Sequence, residues 1–429
     1  MRIHKRTWVI LLAVLLASLA CCSCTAWGGK RLLNWLSFEM AWKVVNDKHF
    51  DPTFGGIDWQ ESRARYRRQV VFASHADYYR LVNEMLWELN VSHLAIVPRD
   101  YWAIAEPTAI AEGSTGIDVR LFDGEAVVAS VEPGSPADRE GLRPGYVILS
   151  IDGITTAQIA SEAELGMDPP YNERHRVEAI TSDILGRIYG PSDTGVTIVY
   201  LDEQGTQHET SIERRQRPGA TATLPGFPRN YFEFESERLD GGIGYVRFNW
   251  FHAALARELT EALSSMRDAP GLIIDLRGNP GGMRDAAIAG AEQLVGGRIK
   301  CSTLWERDGK RDIVLDPAYN SYDGPVVVLI DTMSKSSSEF FAACTQAIGR
   351  ATIVGERSPG SVGPADTMLL PNGATLIYPT AQESTLDGTV LEGNGVIPDI
   401  EAELDRALLF EGIDSQLEAA VDYIQGRLW

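Results

Sequence analysis

The sequence predicts an α/β core that follows a helical region and a small β-rich domain. Apolar residues recur at three- and four-residue spacing from about residue 32 to 94, as in amphipathic helices. Short apolar runs separated by Gly, Pro and Asp occupy about 113 to 217, and apolar runs alternate with helical patterns from about 220 onward. A chain of 429 residues is also too long for one ordinary domain.

The composition is that of a folded protein, with 44% hydrophobic and 23% charged residues. Acidic residues outnumber basic ones by 59 to 39, which gives a formal net charge of -20. This charge argues against nucleic acid, and against an anionic membrane, as partners of the folded part.

Residues 1–24 differ from the rest of the chain. A basic start precedes an apolar run and then small residues with Cys21, Cys22 and Cys24, which is the layout of a secretory leader. A cysteine after such a run resembles a bacterial lipoprotein processing site, and Cys22 is the best candidate for lipidation. We therefore expect an exported protein, lipid-anchored on the periplasmic or cell-surface side of a bacterial membrane. A plain cleaved signal and an uncleaved anchor remain open.

Only two cysteines, Cys301 and Cys344, follow the leader. Two cysteines do not make a disulfide scaffold, and no metal-ligand spacing is present. We expect neither a metal nor another cofactor.

The helical region is predicted to span residues 25–111 and to form an N-terminal cap. Two segments carry the helical pattern, and a turn-rich link joins them. The segments are WLSFEMAWKVVNDKHF and DYYRLVNEMLWELN, and the link is DPTFGGIDW.

The β-rich domain is predicted to span residues 112–217. Its most specific stretch, PGSPADREGLRPGYVILSIDG, resembles the centre of a PDZ domain, with Tyr146 where Asp is usual. A PDZ domain adds an extended peptide as a further strand and holds its carboxylate with backbone N–H groups. The resemblance implies a peptide-binding loop at Thr115, Gly116 and Ile117. A generic small β-domain is the alternative.

Residues 218–429 alternate apolar strands with helices. The alternation predicts an α/β core with largely parallel central strands. The strands are GIGYVRF, GLIIDLRG, PVVVLID and ATIVGER, and the helices are HAALARELTEALSSM, MRDAAIAGAEQLVG and SSEFFAACTQAIG.

Four short motifs carry the candidate chemistry: NVSHLA, DLRGNPGG, SKSSSE and LEGNGVIPD. With GERSPG and the PDZ-like stretch, their order resembles the C-terminal-processing (tail-specific) serine protease family, which includes the tricorn proteases. The resemblance covers nearly the whole chain after the leader. It implies a serine peptidase with a ClpP/crotonase-like core, an N-terminal helical cap and an inserted PDZ domain.

The family places its nucleophile in Ser-x-Ser-Glu, which makes Ser336 the candidate. A serine at a strand-to-helix turn lies where helix N–H groups favour negative charge. Ser336 and Glu339 also have the spacing of an ordinary capping box. The neighbouring serines remain alternative nucleophiles: Ser334, Ser337 and Ser338.

The serine needs a base. Many family members carry a lysine 25 positions after the nucleophile, but this chain has Ser361 there. Lys335 is a poor substitute because adjacent side chains point apart. A Ser–Lys mechanism is therefore disfavoured.

The chain resembles the tricorn branch of the family instead, which uses a tetrad of serine, histidine, a second serine and a glutamate. By this resemblance His93 is the base, and Ser92 and Glu392 orient and stabilise its imidazole. The tetrahedral oxyanion needs two donors, and the family arrangement implies the backbone N–H groups of Gly281 and Ser337. DLRGNPGG is otherwise an ordinary strand-ending turn.

The resemblance implies an exported, membrane-attached serine endopeptidase that acts on peptides or on extended or C-terminal protein segments. The PDZ domain would recruit or gate the substrate. A catalytically inactive peptide-binding scaffold of the same fold is the alternative. A binding protein for small hydrophobic ligands rests on fold analogy alone.

Overall fold

The computed structural model describes residues 25–98, 107–165, 172–217, 220–223 and 229–427. The predictions for the leader, including Cys22, fall outside these residues. In the part that is described, no helix combines the length and the apolarity that a membrane crossing requires.

The two predicted helical segments lie in α1 (Thr25–Lys48) and α3 (His75–Trp87), and a further helix, α2 (Trp59–Val70), lies between them. The Asp58 carboxylate caps α2, and the Ser74 hydroxyl caps α3. Such caps satisfy backbone N–H groups that a helix start leaves without partners.

After α3 comes strand β1 (Ala95–Val97), which pairs antiparallel with residues 375–377 of the core. Tyr78 and Met85 of α3 pack in one apolar cluster with Leu376 from that core hairpin. The cap is therefore joined to the core both by a strand pair and by buried apolar contacts.

The β-rich domain contains an antiparallel sheet in the order β3–β4–β5–β7–β8, so that β3 is an edge strand. The domain also contains two longer helices, α6 (Thr156–Leu165) and α7 (Glu173–Ile188). The elements are α4 (Pro107–Ile110), β2 (Gly113–Ser114), β3 (Ile117–Phe122), β4 (Glu125–Val131), α5 (Pro136–Arg139), β5 (Val147–Ile151), β6 (Ile154–Thr155), α6 (Thr156–Leu165), α7 (Glu173–Ile188), β7 (Gly195–Leu201), β8 (Gln207–Glu213) and β9 (Arg215–Gln216).

The core is built on a sheet in the order β12–β13–β14–β17–β18–β22. Its pairs from β13 to β22 are parallel, as predicted, and β12 joins antiparallel at one edge. The elements are β10 (Ala220–Thr223), β11 (Arg229–Phe232), β12 (Phe234–Arg238), β13 (Gly244–Phe248), α8 (Leu255–Ser265), β14 (Leu272–Asp275), α9 (Arg284–Glu292), β15 (Ile299–Glu306), β16 (Gly309–Leu315), β17 (Val326–Ile330), α10 (Ser337–Ala347), β18 (Thr352–Gly355), β19 (Ala365–Leu369), β20 (Thr375–Pro379), β21 (Ala381–Ser384), β22 (Ile400–Glu401), α11 (Arg406–Phe410) and α12 (Ser415–Gly426).

Both faces of this sheet are buried. Ile274 and Val328 pack with Phe341 of α10 on one face, and Ile273 packs with Ile424 of α12 on the other. Because helices cover both faces of a parallel sheet, side chains on both sides of each strand are buried and the strands are apolar throughout. The predicted fold class is thus confirmed.

Cys301 of β15 and Cys344 of α10 form a disulfide, with their Cα atoms 5.0 Å apart. Both residues are fully buried. This bond was not predicted, because the spacing of two cysteines 43 positions apart does not show whether their thiols are close in space. The bond joins the helix that follows Ser336 to the β15–β16–β21 sheet.

The loops that follow β14, β17 and β18 lie side by side at one edge of the sheet, because these neighbouring strands are parallel. Ligands of open α/β sheets bind outside the carboxyl ends of the strands. This edge carries the DLRGNPGG motif and the serine cluster.

Candidate active site

Ser336 occupies a sharp turn between β17 and α10, with φ 56° and ψ -117°. Helix N-caps ordinarily have extended backbone, and a non-glycine residue in this region stores about 1–3 kcal/mol of strain. A strained strand-to-helix turn is how hydrolases present a serine nucleophile. The backbone half of the capping box is also present, since the Ser336 N–H donates to Glu339 Oε2 at 3.0 Å.

The other three serines of the cluster use their hydroxyl groups as structural donors. Each donates to a backbone carbonyl of the loop after β14: Ser334 to Leu276, Ser338 to Asn279 and Ser337 to Gly282, over 2.7–2.9 Å. These bonds favour Ser336 over its neighbours as the nucleophile.

Ser92, His93 and Glu392 form a hydrogen-bonded chain. The Ser92 hydroxyl donates to Glu392 Oε2 at 3.0 Å and lies 2.8 Å from His93 Nδ1, and the Ser92 N–H donates to Glu392 Oε1 at 2.6 Å. Because the hydroxyl has one proton and gives it to the carboxylate, it accepts from Nδ1–H. His93 Nε2 is then left as the lone-pair acceptor that a base requires.

His93 and Ser336 line one cleft of about 850 Å³. His93 also has a positive φ of 55°, so strain is present on both sides of the cleft. Within the described residues, no hydrogen bond joins the His93 ring to the Ser336 hydroxyl. Catalytic hydrogen bonds are often long before substrate binds.

Burial lowers the pKa of His93 to about 4, and the positive charge of Lys335 acts in the same direction. The imidazole is therefore neutral, and able to accept a proton, at every pH above about 5. Burial raises the pKa of Glu392, while its bonds from Ser92 oppose that shift.

The two predicted oxyanion donors differ in whether their N–H groups already have an acceptor. No acceptor for the Ser337 N–H is present among the described residues. The Gly281 N–H, however, donates to Asn279 Oδ1 at 2.9 Å, so in this conformation it is not available as predicted. The reason is local, because an Asn side chain readily accepts from the backbone two residues on.

Gly281 nevertheless lies against the nucleophile. A Cβ atom there would approach Ser336 Cβ and Ser337 N to 2.8 Å, and its φ is 101°. Only glycine allows this close approach and this conformation.

Two side chains of α7 that were not predicted from the sequence reach the cleft. His175 Nε2 lies 3.1 Å from the hydroxyl of Ser361, and Glu178 accepts from Lys335 Nζ at 2.7 Å. These partners are 186 and 157 positions apart, so no local pattern signals them. The Lys335 ammonium is thus paired with a carboxylate of α7.

The predicted peptide loop of the PDZ-like domain has the turn that it needs. Gly116 has φ 85°, and a side chain there would collide with Ser135. Its N–H donates to Ser114 Oγ at 3.0 Å. Thr115 is fully buried and Ile117 begins the edge strand β3. Capture of a peptide by this loop stays a prediction.

No group of His, Cys, Asp and Glu side chains in the described ranges has the arrangement of a metal site.

Comparison with protein families gives three matches in chain order. The profile of the tricorn protease C1 domain matches residues 37–87, that of the PDZ domain residues 127–167, and that of peptidase family S41 residues 242–402. The three matches fall in the helical cap, in the β-rich domain and in the core.

Similar proteins of known type are carboxyl-terminal-processing proteases. That of Synechocystis sp. is 25% identical over 394 residues, which covers 90% of this chain and 86% of that protein. The tricorn protease of Thermoplasma volcanium is 23% identical and covers 91% of this chain, but only 36% of that longer protein aligns.

A solved structure with the same fold is the photosystem II D1 C-terminal processing protease. It superposes with a TM-score of 0.55 at 23% identity, over 87% of this chain and 93% of that one. This likeness shows the fold, and the family profiles and sequence relatives indicate the class of the enzyme. The chain is a serine peptidase: its core matches the profile of peptidase family S41, its helical cap matches the tricorn protease C1 domain, a PDZ domain lies before the core, and its relatives include carboxyl-terminal-processing proteases.

Proposed function

We propose that this chain is an endopeptidase that cleaves peptides or protein tails through an acyl-enzyme on Ser336, with His93 as general base. The observation that carries the proposal is the Glu392–Ser92–His93 chain facing the same cleft as the strained Ser336 turn. The inactive scaffold has no comparable support, because a binding protein needs neither the strain nor the buried carboxylate.

In the first half-reaction, His93 Nε2 takes the Ser336 hydroxyl proton as Oγ attacks the peptide carbonyl carbon. The Ser337 N–H stabilises the oxyanion. The imidazolium then gives its proton to the leaving amine, and water hydrolyses the acyl-enzyme by the same route. Glu392 stabilises the imidazolium through the Ser92 hydroxyl, as the aspartate of a catalytic triad does directly.

Incubation of the purified protein with a peptide library, read by mass spectrometry, tests this function. We expect internal cleavages, or tails removed as peptides, and loss of both after treatment with a fluorophosphonate. A library that stays intact, with peptides retained by the protein, would support the scaffold instead.

We also propose that the protein is exported and held at a membrane by a lipid on Cys22. The buried Cys301–Cys344 disulfide supports export, since such bonds persist in oxidising compartments and are rare in the cytosol. In a bacterial host, Cys22→Ala should move the protein from the membrane to the soluble fraction. Continued membrane fractionation would assign anchoring to the apolar run itself.

The PDZ domain is proposed to gate the cleft. Its helix α7 contacts the loops that hold the tetrad: Arg174 donates to the carbonyls of Ser358, Gly393 and Asn394 over 2.9–3.2 Å. The Lys335–Glu178 pair joins α7 to the residue before the nucleophile, and its side chains are only 14% and 15% exposed.

A second contact links the domains. Arg120 of β3 donates to Asp331 Oδ2 at 2.7 Å, and Asp331 Oδ1 accepts the N–H of Gly278. Movement of the edge strand would therefore act on both loops that flank Ser336. This arrangement supports gating rather than simple tethering.

Glu178→Gln should raise kcat/KM for an unfolded protein substrate about fivefold while changing that for a tetrapeptide less. Removal of the attraction between Glu178 and Lys335 weakens the closed state; a shift of about 1 kcal/mol changes an open–closed equilibrium about fivefold, and long substrates depend most on opening. Glu173→Gln on the same helix is the matched control, because its carboxylate pairs with Arg176 in solvent. Equal changes for both substrates would contradict gating by α7.

A further inference from the structure

Glu339 is a buried carboxylate to which the tetrad assigns no task. It is the third residue of α10 and has no solvent exposure. Its oxygens accept four hydrogen bonds: from the Ser336 and Ser361 N–H groups on Oε2, and from the Gly360 N–H and the Ser358 hydroxyl on Oε1, over 2.6–3.0 Å. Burial alone would disfavour its charge, and these donors replace the lost water.

Three of these donors belong to residues 358–363, which we name the bridging loop. The next two N–H groups of this loop, of Val362 and Gly363, donate to Glu392 Oε2 at 3.2 and 3.3 Å. Glu392 in turn holds Ser92. The bridging loop thus donates hydrogen bonds to two buried carboxylates. Glu339 also accepts from the nucleophile Ser336, and Glu392 also accepts from Ser92, the partner of the base.

A helix cap does not account for this arrangement. A capping box needs only the two reciprocal bonds in which the Glu339 carboxylate accepts from the Ser336 N–H and the Ser336 hydroxyl accepts from the Glu339 N–H. The other donors come from a separate loop, and the Ser336 N–H is itself shared with the Ser361 carbonyl at 2.9 Å. In the part of the chain that is described, no cation forms an ion pair with Glu339. Its carboxylate is therefore stabilised by the hydrogen bonds from these donors.

We propose that Glu339 is a positioning residue that, through the bridging loop, sets the separation between Ser336 and His93. The inference rests on the proposed tetrad. The two residues come from distant segments and share no hydrogen bond in this structure, while proton transfer needs their atoms held within a few tenths of an ångström. A path of buried hydrogen bonds through Glu339, the bridging loop and Glu392 supplies that constraint.

Glu339→Gln tests the proposal, because the amide has the same shape but only one acceptor oxygen for four donors. We expect kcat to fall about 10²-fold, the cost of a misplacement near 1 Å, with KM little changed. The melting temperature should also fall, because the amide leaves buried donors without an acceptor. Glu356→Gln is the matched control: this second carboxylate near the same loop accepts from Gln416, away from the cleft, and its loss should leave kcat unchanged.

The pH profile separates positioning from a purely structural role. Burial raises the pKa of Glu339 to about 7, with the negative charge of Glu392 in the same direction, and Arg174 of α7 is the facing cation. Protonation removes acceptor capacity, so the wild-type rate should rise with pH through about 7. In Glu339→Gln this rise should vanish, leaving a low rate that is flat from about pH 5 to 8, because His93 is neutral there.

Ser358→Ala keeps the proposal testable if Glu339→Gln does not fold. It removes one donor to Glu339 and should lower kcat about tenfold at constant KM, a smaller effect than loss of the carboxylate. The proposal is overturned if either folded variant keeps the wild-type kcat and pH profile while His93→Ala is inactive. If His93→Ala is active, the tetrad itself fails, and that outcome is recognised without the Glu339 variants.

Discussion

Replacement of Ser336 by alanine should abolish peptide hydrolysis, a loss of about 10⁶-fold in kcat, while the protein stays folded. Alanine has no oxygen that can form the acyl-enzyme. The backbone N–H of residue 336 donates to the Glu339 carboxylate, so this bond does not depend on the Ser336 side chain and persists in the variant. Loss of a serine cap typically costs about 1 kcal/mol. The measurements are kcat on a short peptide and the melting temperature.

Ser337→Ala is the matched control, since its hydroxyl donates to the Gly282 carbonyl while its N–H, the proposed oxyanion donor, is retained. We expect this variant to keep most of its activity and to label with a fluorophosphonate. Labelling of Ser336→Ala at the wild-type rate would move the nucleophile to another serine of the cluster.

His93→Ala should lose several orders of magnitude in kcat, comparable to Ser336→Ala, because nucleophile and base act as a unit. Without the imidazole, nothing accepts the hydroxyl proton or protonates the leaving amine. Ser92→Ala and Glu392→Gln should cost less, since these residues only orient the ring and stabilise its charged form. His208→Ala is the matched control: this histidine pairs with Asp202 on the surface of the PDZ domain.

The relative losses in kcat of His93→Ala, Ser92→Ala and Glu392→Gln show what each residue does. If Glu392→Gln cost as much as His93→Ala, the carboxylate would have a direct part in proton transfer. If Ser92→Ala cost nothing, the serine would not relay the charge of Glu392 to the imidazole.

The α/β core could be predicted because its central strands are buried on both faces and read as continuous apolar runs. PVVVLI becomes Val326–Ile330, and GLIIDLRG contains Leu272–Asp275. The helices were recognised from spacing, though HAALARELTEALSSM begins its helix only at Leu255. The β15–β16–β21 sheet and the β19–β20 hairpin were missed, since their half-exposed strands lack a strong alternating pattern.

The candidate site was predicted to the extent that motifs carry it. Ser336, His93, Ser92 and Glu392 were named from the sequence, and the structure brings the last three into one hydrogen-bonded chain. The contacts of α7 with the cleft could not be predicted, because they join segments more than 150 positions apart. The engaged Gly281 N–H depends on the rotamer of Asn279, which no sequence pattern specifies.

The most direct test of the account is the single-turnover acylation rate of His93→Ala beside that of Lys335→Ala, on one activated peptide ester at pH 7.5. The account predicts a loss of several orders of magnitude for His93→Ala, and a change within about tenfold for Lys335→Ala, whose ammonium is paired with Glu178. Wild-type acylation by His93→Ala together with an inactive Lys335→Ala would contradict it, and would assign a Ser–Lys mechanism to this chain.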